Sequence, residues 1–218
     1  MKSKNKKYID IVSHYEYCLE KHGDTHLGVD WPKIEDVDKR YEIMLDVINC
    51  NINSNTPDKI RLLDFGCGAS HLYEYMVKHK INDIEYNGLD LSKKFINLSK
   101  KKFPFNKYYY VDILEDDTNI PNFDYIVMNG VFTEKRNLSF DEMFDYFKKV
   151  VKKVFGKAEK GITFNVMSKQ VDWEREDLFH LPLDLLADFL TKNISRKFII
   201  RNDYGLYEYT AYVYKEKI

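Results

Sequence analysis

From Ile60 onward the chain alternates short apolar runs with longer segments of helical apolar spacing, and this alternation constrains the fold more than any other feature. Ile60 to Phe65, Ile84 to Leu89, Tyr108 to Val111, Phe123 to Met128 and Ile162 to Met167 read as strands. Ser70 to Lys80, Lys93 to Lys102, Asp141 to Phe155 and Leu183 to Leu190 repeat apolar residues three and four apart, which predicts helices. The chain ends on two β-rich runs, Lys197 to Arg201 and Tyr207 to Tyr214, joined by a turn around Asp203-Tyr204-Gly205. Alternating βα units predict an α/β domain with a doubly wound, mostly parallel sheet. Two consecutive final strands predict that one runs antiparallel at or near an edge.

Ahead of this region, Ile9 to Glu20 and Asp36 to Ile48 carry helical spacing, broken at Trp31-Pro32, and the polar stretch from Asn49 to Lys59 reads as a loop. The expected organisation is a helical extension or lid over 1–55 and an α/β domain over 56–218. Thirty-four basic against 35 acidic side chains give a formal charge of −1, so no global positive field exists to gather nucleic acid or an anionic membrane. Cys18, Cys50 and Cys67 have neither CxxC pairing nor metal-ligand spacing, so no metal site is expected, and free thiols fit a reducing compartment. The basic N-terminus is followed by no apolar signal segment, and no run approaches the ~18 apolar residues of a membrane span. A cytoplasmic protein is expected.

Chemistry concentrates at the strand ends, where open α/β sheets bind their ligands. The first strand runs into Asp64-Phe65-Gly66-Cys67-Gly68-Ala69-Ser70-His71. Two glycines allow a tight turn and close backbone approach to a ligand. A dinucleotide site wants a third glycine where His71 stands, and no carboxylate beside its pyrophosphate. A phosphate-binding loop wants Gly-Lys-Ser/Thr, yet neither Lys nor Arg occurs between Leu62 and Val77. S-adenosylmethionine has no phosphate and carries an ammonium, which gives Asp64 a partner. Asp90, ending the second strand just before Leu91, suits both hydroxyls of a ribose, as in NAD sites too. Asp112 after the third strand can receive an adenine amine while Ile113 packs the ring. Asn129 and Asn165, at or within the fourth and fifth strands, are polar where a core would be apolar, and Asn129 is placed against the cofactor or acceptor. Arg40, in the second N-terminal helix, could pair the cofactor carboxylate.

With these residues in place, Ile60 to Lys215 resembles the class I, Rossmann-like S-adenosylmethionine-dependent methyltransferases. The resemblance implies a seven-stranded sheet with a C-terminal antiparallel hairpin. It also implies a methionine cradle at Phe65, Gly66 and Gly68, ribose at Asp90 and adenine at Asp112, with S-adenosylhomocysteine as product. Three flanking segments, Gly23 to Trp31, Asp177 to Pro182 and Asp203 to Thr210, resemble bacterial small-molecule methyltransferases of sugar and surface-polysaccharide pathways.

Transfer from a sulfonium needs alignment and exclusion of water, and a base only when the acceptor carries a proton to lose. His180 and His26 are the candidate bases. Tyr204 and Tyr207 are candidate acceptor walls, and Lys135 and Lys169 a candidate cationic rim for a phosphate-bearing acceptor. The expected acceptor is an oxygen of a sugar, nucleotide-sugar or phosphorylated intermediate. No nucleic-acid or membrane partner is expected. The alternatives are an RNA or protein methyltransferase and a non-catalytic cofactor-binding module.

Overall fold

The computed structural model describes residues 6–49 and 59–215. Eight strands form one sheet: β1 (Ile60–Phe65), β2 (Ile84–Asp90), β3 (Lys107–Tyr110), β4 (Phe123–Phe132), β5 (Ala158–Ser168), β6 (His180–Leu181), β7 (Phe198–Arg201) and β8 (Glu208–Tyr214). Their order is β3-β2-β1-β4-β5-β8-β7, with the two-residue β6 added to the end of β5. All pairings are parallel except those of β8, which runs antiparallel to both β5 and β7. The expected doubly wound sheet of seven strands with its terminal hairpin is therefore present. The two-residue β6 leaves no periodicity in the sequence, so no strand was expected there.

The helices are α1 (Ile9–His22), α2 (Val37–Asn49), α3 (His71–Lys78), α4 (Lys93–Lys102), α5 (Phe140–Lys157) and α6 (Leu183–Asn193). Side chains alternate across the strands, so each sheet face feeds its own core. Leu63 and Phe65 of β1 join Phe147 of α5 and Leu190 of α6 on one face. Leu62 joins Met44 and Val47 of α2, Met76 of α3 and Tyr212 of β8 on the other. The Tyr212 and Tyr214 hydroxyls donate to the α2 carbonyls of Ile43 and Val47, at 2.6 and 3.2 Å. Helix α2 is thus part of the domain's packed layer rather than an appendage. The seam expected at Asn49 to Lys59 falls almost wholly outside the described residues, as does Cys50.

Strand β4 runs four residues past its expected end because its register against β5 shifts between Met128 and Phe132. Gly130, at φ +77°, sits in this irregular stretch, and its N–H donates to the Asn165 side-chain Oδ1 at 2.7 Å. The bulge lifts Asn129 and Gly130 out of regular pairing at the carboxyl edge, where the candidate site lies.

Candidate cofactor cavity and acceptor hollow

The turn after β1 is built on glycine geometry. Gly66 and Gly68 hold φ of +77° and +50°. A Cβ added at Gly66 would stand 2.6 Å from Val131 Cγ2. The Gly66 and Cys67 amides both donate to the Leu89 carbonyl, at 2.7 and 3.0 Å, which draws the loop over the end of β2. Gly68 N–H donates to Asp90 Oδ2 at 2.9 Å, and Ser92 N–H to Oδ1 at 2.7 Å. Loop and second-strand acid are therefore one unit.

A cavity opens at this turn. Its wall includes Asp64, Phe65, Gly66, Gly68, Asp90, Leu91 and Asn129, seven of the ten residues expected around a cofactor. Among the described residues, no Lys or Arg lines it. Asp64 is buried and accepts one hydrogen bond, from the Tyr86 hydroxyl at 2.8 Å. Burial pushes its carboxyl up to about 7, against the pull of Tyr86 and with help from the Asp90 charge. Burial also raises Asp90, to about 6, offset by the backbone amides of Ser92, Gly68 and Leu91. Both side-chain atoms of Asn129 are buried and without a hydrogen-bond partner among the described residues. Two desolvated acids and an unused amide suit a ligand with a cation, a diol and further polar edges, and suit no phosphate.

Helix α1 roofs the cavity. The Tyr8 ring stacks on Tyr146 of α5 with centroids 4.7 Å apart, and the Tyr15 hydroxyl donates to the Gly130 carbonyl at 3.2 Å. This roof corrects two expectations. Asp112 and Ile113 are not on the wall. Asp112 Oδ2 accepts from Tyr8 Oη at 2.6 Å and from Lys6 Nζ at 3.1 Å, and Ile113 lies in the core. The N-terminal segment occupies the acid assigned to adenine. Asp30, at φ +59°, meets His14 Nε2 at 2.7 Å; with Cys18 these offer ligand atoms within 4.8 Å of one another, a group that sequence spacing did not suggest. In the present geometry the pair fastens α1 to the Trp31 turn.

A second hollow, of about 440 Å³, adjoins the cavity and shares Trp31 and Gly130 with it. His180 and Tyr207 line it. His180 is buried; its Nδ1 donates to the Ser168 carbonyl at 2.6 Å, which leaves the lone pair on Nε2, where the Arg175 amide donates weakly at 3.3 Å. Arg40 lies here and not at the cofactor cavity, because Glu208 holds its Nε at 3.1 Å, and its guanidinium stacks 5.1 Å from the Trp31 ring. Asn165, Glu134, Glu208 and Trp173 are among the other polar and aromatic residues of the lining, and of these four only Asn165 was singled out in the sequence, as a polar residue inside an apolar strand.

The remaining candidates fall elsewhere. His26 Nδ1 donates to the Trp31 carbonyl at 2.6 Å and lines neither space, so it shapes the turn that carries Trp31. Tyr204 is buried, with its hydroxyl on Thr210 Oγ1 at 2.9 Å, and lines neither space. Lys135 and Lys169 border a third hollow on the surface, which shares Arg175, Leu178 and His180 with the second; there Lys135 donates to the Leu138 carbonyl and Lys169 pairs with Glu174 at 2.6 Å.

Comparison with known proteins agrees with this geometry. Residues 63–153 match a family model described as a methyltransferase domain. A Mycobacterium tuberculosis protein, Rv1506c, a methyltransferase by designation, is 24% identical over 163 residues, which cover 74% of this chain and 96% of that one. Among solved structures, the plantazolicin methyltransferase BamL in complex with a triazolic substrate analogue and S-adenosylhomocysteine superposes with a TM-score of 0.63 at 12% identity, over 98% of this chain and 92% of that one. The magnesium protoporphyrin IX methyltransferase of Synechocystis PCC 6803 with bound S-adenosylhomocysteine gives 0.60 at 11%, over 97% and 96%. An amino pentose methyltransferase from Micromonospora echinaspora with bound S-adenosylmethionine gives 0.53 at 14%, over 81% and 90%. Among the described residues, no helix is long and apolar enough to cross a membrane. Residues 63–153 thus match a methyltransferase domain, and the chain as a whole has the fold of solved methyltransferases that bind S-adenosylmethionine or S-adenosylhomocysteine.

Proposed function

We propose that the protein uses S-adenosylmethionine to methylate a hydroxyl oxygen of a small, uncharged polar acceptor of the sugar class, seated in the hollow beside the cofactor cavity. The observation that carries this reading is the shared wall of Trp31 and Gly130, which sets His180 on the acceptor side and Asp64, Asp90 and Asn129 on the cofactor side. When bound, the sulfonium supplies an electrophilic methyl carbon. The chain's residues do the rest. Asp64 holds the ammonium, Asp90 the ribose hydroxyls, and Asn129 a further polar edge. His180 takes the acceptor's proton at Nε2 once the Arg175 amide yields that lone pair. The stack of Tyr8 on Tyr146 and the Trp31 turn keep water out.

Support for a small acceptor comes from the hollow's size and from Trp173 and Tyr207, whose rings lie 6.2 Å apart and suit a sugar face. The acids Asp30, Glu134 and Asp172 in its lining disfavour RNA. Among the named structural neighbours, one acts on an amino pentose, a choice compatible with this lining.

The test is calorimetry with S-adenosylhomocysteine, followed by methyl transfer to a panel of sugars and nucleotide sugars. His180→Gln is expected to lower turnover about a hundredfold with product affinity unchanged. Unchanged turnover would remove His180 as the base, and tight cofactor binding with no turnover on any acceptor would favour the non-catalytic module.

The covering role belongs, in this proposal, to residues 1–35, with α2 excluded because it is core. Their deletion is expected to weaken S-adenosylhomocysteine roughly tenfold, a loss of about 1.4 kcal/mol. Unchanged affinity and turnover in the truncated protein would rule out a lid.

A further inference from the structure

Two residues that line the second hollow each carry a buried hydrogen-bond donor with no acceptor among the described residues. Asn165 is 1% exposed. Its Oδ1 accepts from Gly130, while its Nδ2 has no partner among the described residues. Arg40 directs Nε to both oxygens of Glu208, at 3.1 and 3.2 Å, and its Nη1 is likewise buried and unpaired. Asn165 stands opposite Thr210 in the β5–β8 register, two residues from Glu208, so Asn165 and the carboxylate that fixes Arg40 are diagonal neighbours on one sheet face. Both residues line the same hollow. Buried donors without acceptors destabilise a fold, and two of them in one hollow call for oxygens from a ligand.

The charge around them narrows which oxygen. Arg40 is already matched by Glu208, and the same lining holds Asp30, Asp36, Glu134 and Asp172 against Lys33 and Arg175. A second anion beside Arg40 would face surplus negative charge in a partly desolvated space. We infer that Arg40 and Asn165 form a subsite for a neutral carbonyl oxygen, of the amide or N-acyl kind, carried by the acceptor. This rests on the reading of the hollow as the acceptor site. It makes both residues determinants of specificity, with Asn165 nearest the cofactor through its bond to Gly130.

The test uses protein with isotope-labelled asparagine, saturated with S-adenosylhomocysteine and titrated separately with N-acetyl-D-glucosamine, D-glucuronate and inorganic phosphate. Asn165→Asp, which keeps the oxygen that Gly130 needs, identifies the Asn165 side-chain resonance by its loss. N-acetylglucosamine is expected to move that resonance at lower concentration than either anion. Arg40→Lys, which keeps a charge facing Glu208 but lacks Nη1, is expected to weaken that titration about tenfold. Response to the anions first would make this an anion site and overturn the inference, as would silence at Asn165 to all three probes. A tenfold loss of S-adenosylhomocysteine affinity in Arg40→Lys would assign the arginine to the cofactor and overturn it as well. Failure of the wild-type protein to bind S-adenosylhomocysteine at all is a failure of the cofactor site itself, and the subsite falls with it.

Discussion

Asp90→Ala is expected to weaken S-adenosylmethionine and S-adenosylhomocysteine by at least a hundredfold. The carboxylate is proposed to accept two ribose hydroxyls, and hydrogen bonds to a charged group contribute about 1.5–3 kcal/mol each. Its oxygens also hold the Gly68 and Ser92 amides, at 2.9 and 2.7 Å, so alanine frees the glycine turn from the end of β2 as well. Asp90→Asn separates the two contributions. The amide keeps one acceptor oxygen and the side chain's shape, so its affinity should fall between wild type and alanine while the fold melts near the wild-type temperature. Calorimetry and thermal unfolding of both variants check this. An alanine variant that binds S-adenosylhomocysteine within threefold of wild type would remove Asp90 from the cofactor site.

How legible such residues are depends on how local their reasons are. Gly66, Gly68, Asp64 and Asp90 stand at the ends of adjacent strands, so strand placement alone put them at one edge of the sheet. Asn129 and Asn165 were legible as polar interruptions of apolar strands, and both carry buried amide atoms without partners. Asp112 was misplaced because its partners, Lys6 and Tyr8, lie more than a hundred residues away in sequence, and no pattern near Asp112 encodes them. The Arg40–Glu208 pair spans 168 residues and was hidden for the same reason. His26 was plausible as a base by residue type alone; its backbone bond to Trp31 emerges only once the intervening turn is folded. Helix α2 carried the amphipathic pattern of a core helix, but a pattern does not state which surface it meets.

Cofactor affinity should rise with pH and level off above about 7, and Asp64→Asn should abolish the step nearest neutrality. Asp64 has an ordinary value of 3.8 and a folded value of about 7, so the empty folded protein binds more protons than the unfolded chain in between. The stability of the empty protein therefore falls as pH rises through that window. The gap, 7 minus 3.8, corresponds to about 4 kcal/mol once pH exceeds 7. A cofactor ammonium beside Asp64 reverses the balance, because it favours the carboxylate and expels the proton. Through Asp64, binding should release about nine-tenths of a proton per site at pH 6 and about half at pH 7, and affinity should climb about fivefold across that unit. Below about 6, Asp90 adds a second proton and steepens the slope. Tyr41 and Tyr86, the other titratable groups against Asp64, are held well above 10 by burial, and the Cys67 thiol well above 9, so none competes in this window. In Asp64→Asn, affinity at pH 8 should drop toward the wild-type value at acid pH, with only the Asp90 slope left. Calorimetry in buffers of different ionisation enthalpy counts the protons directly. A pH-independent wild-type affinity between 6 and 8 would mean that the buried carboxylate is never handed a cation, and that the ammonium is held elsewhere.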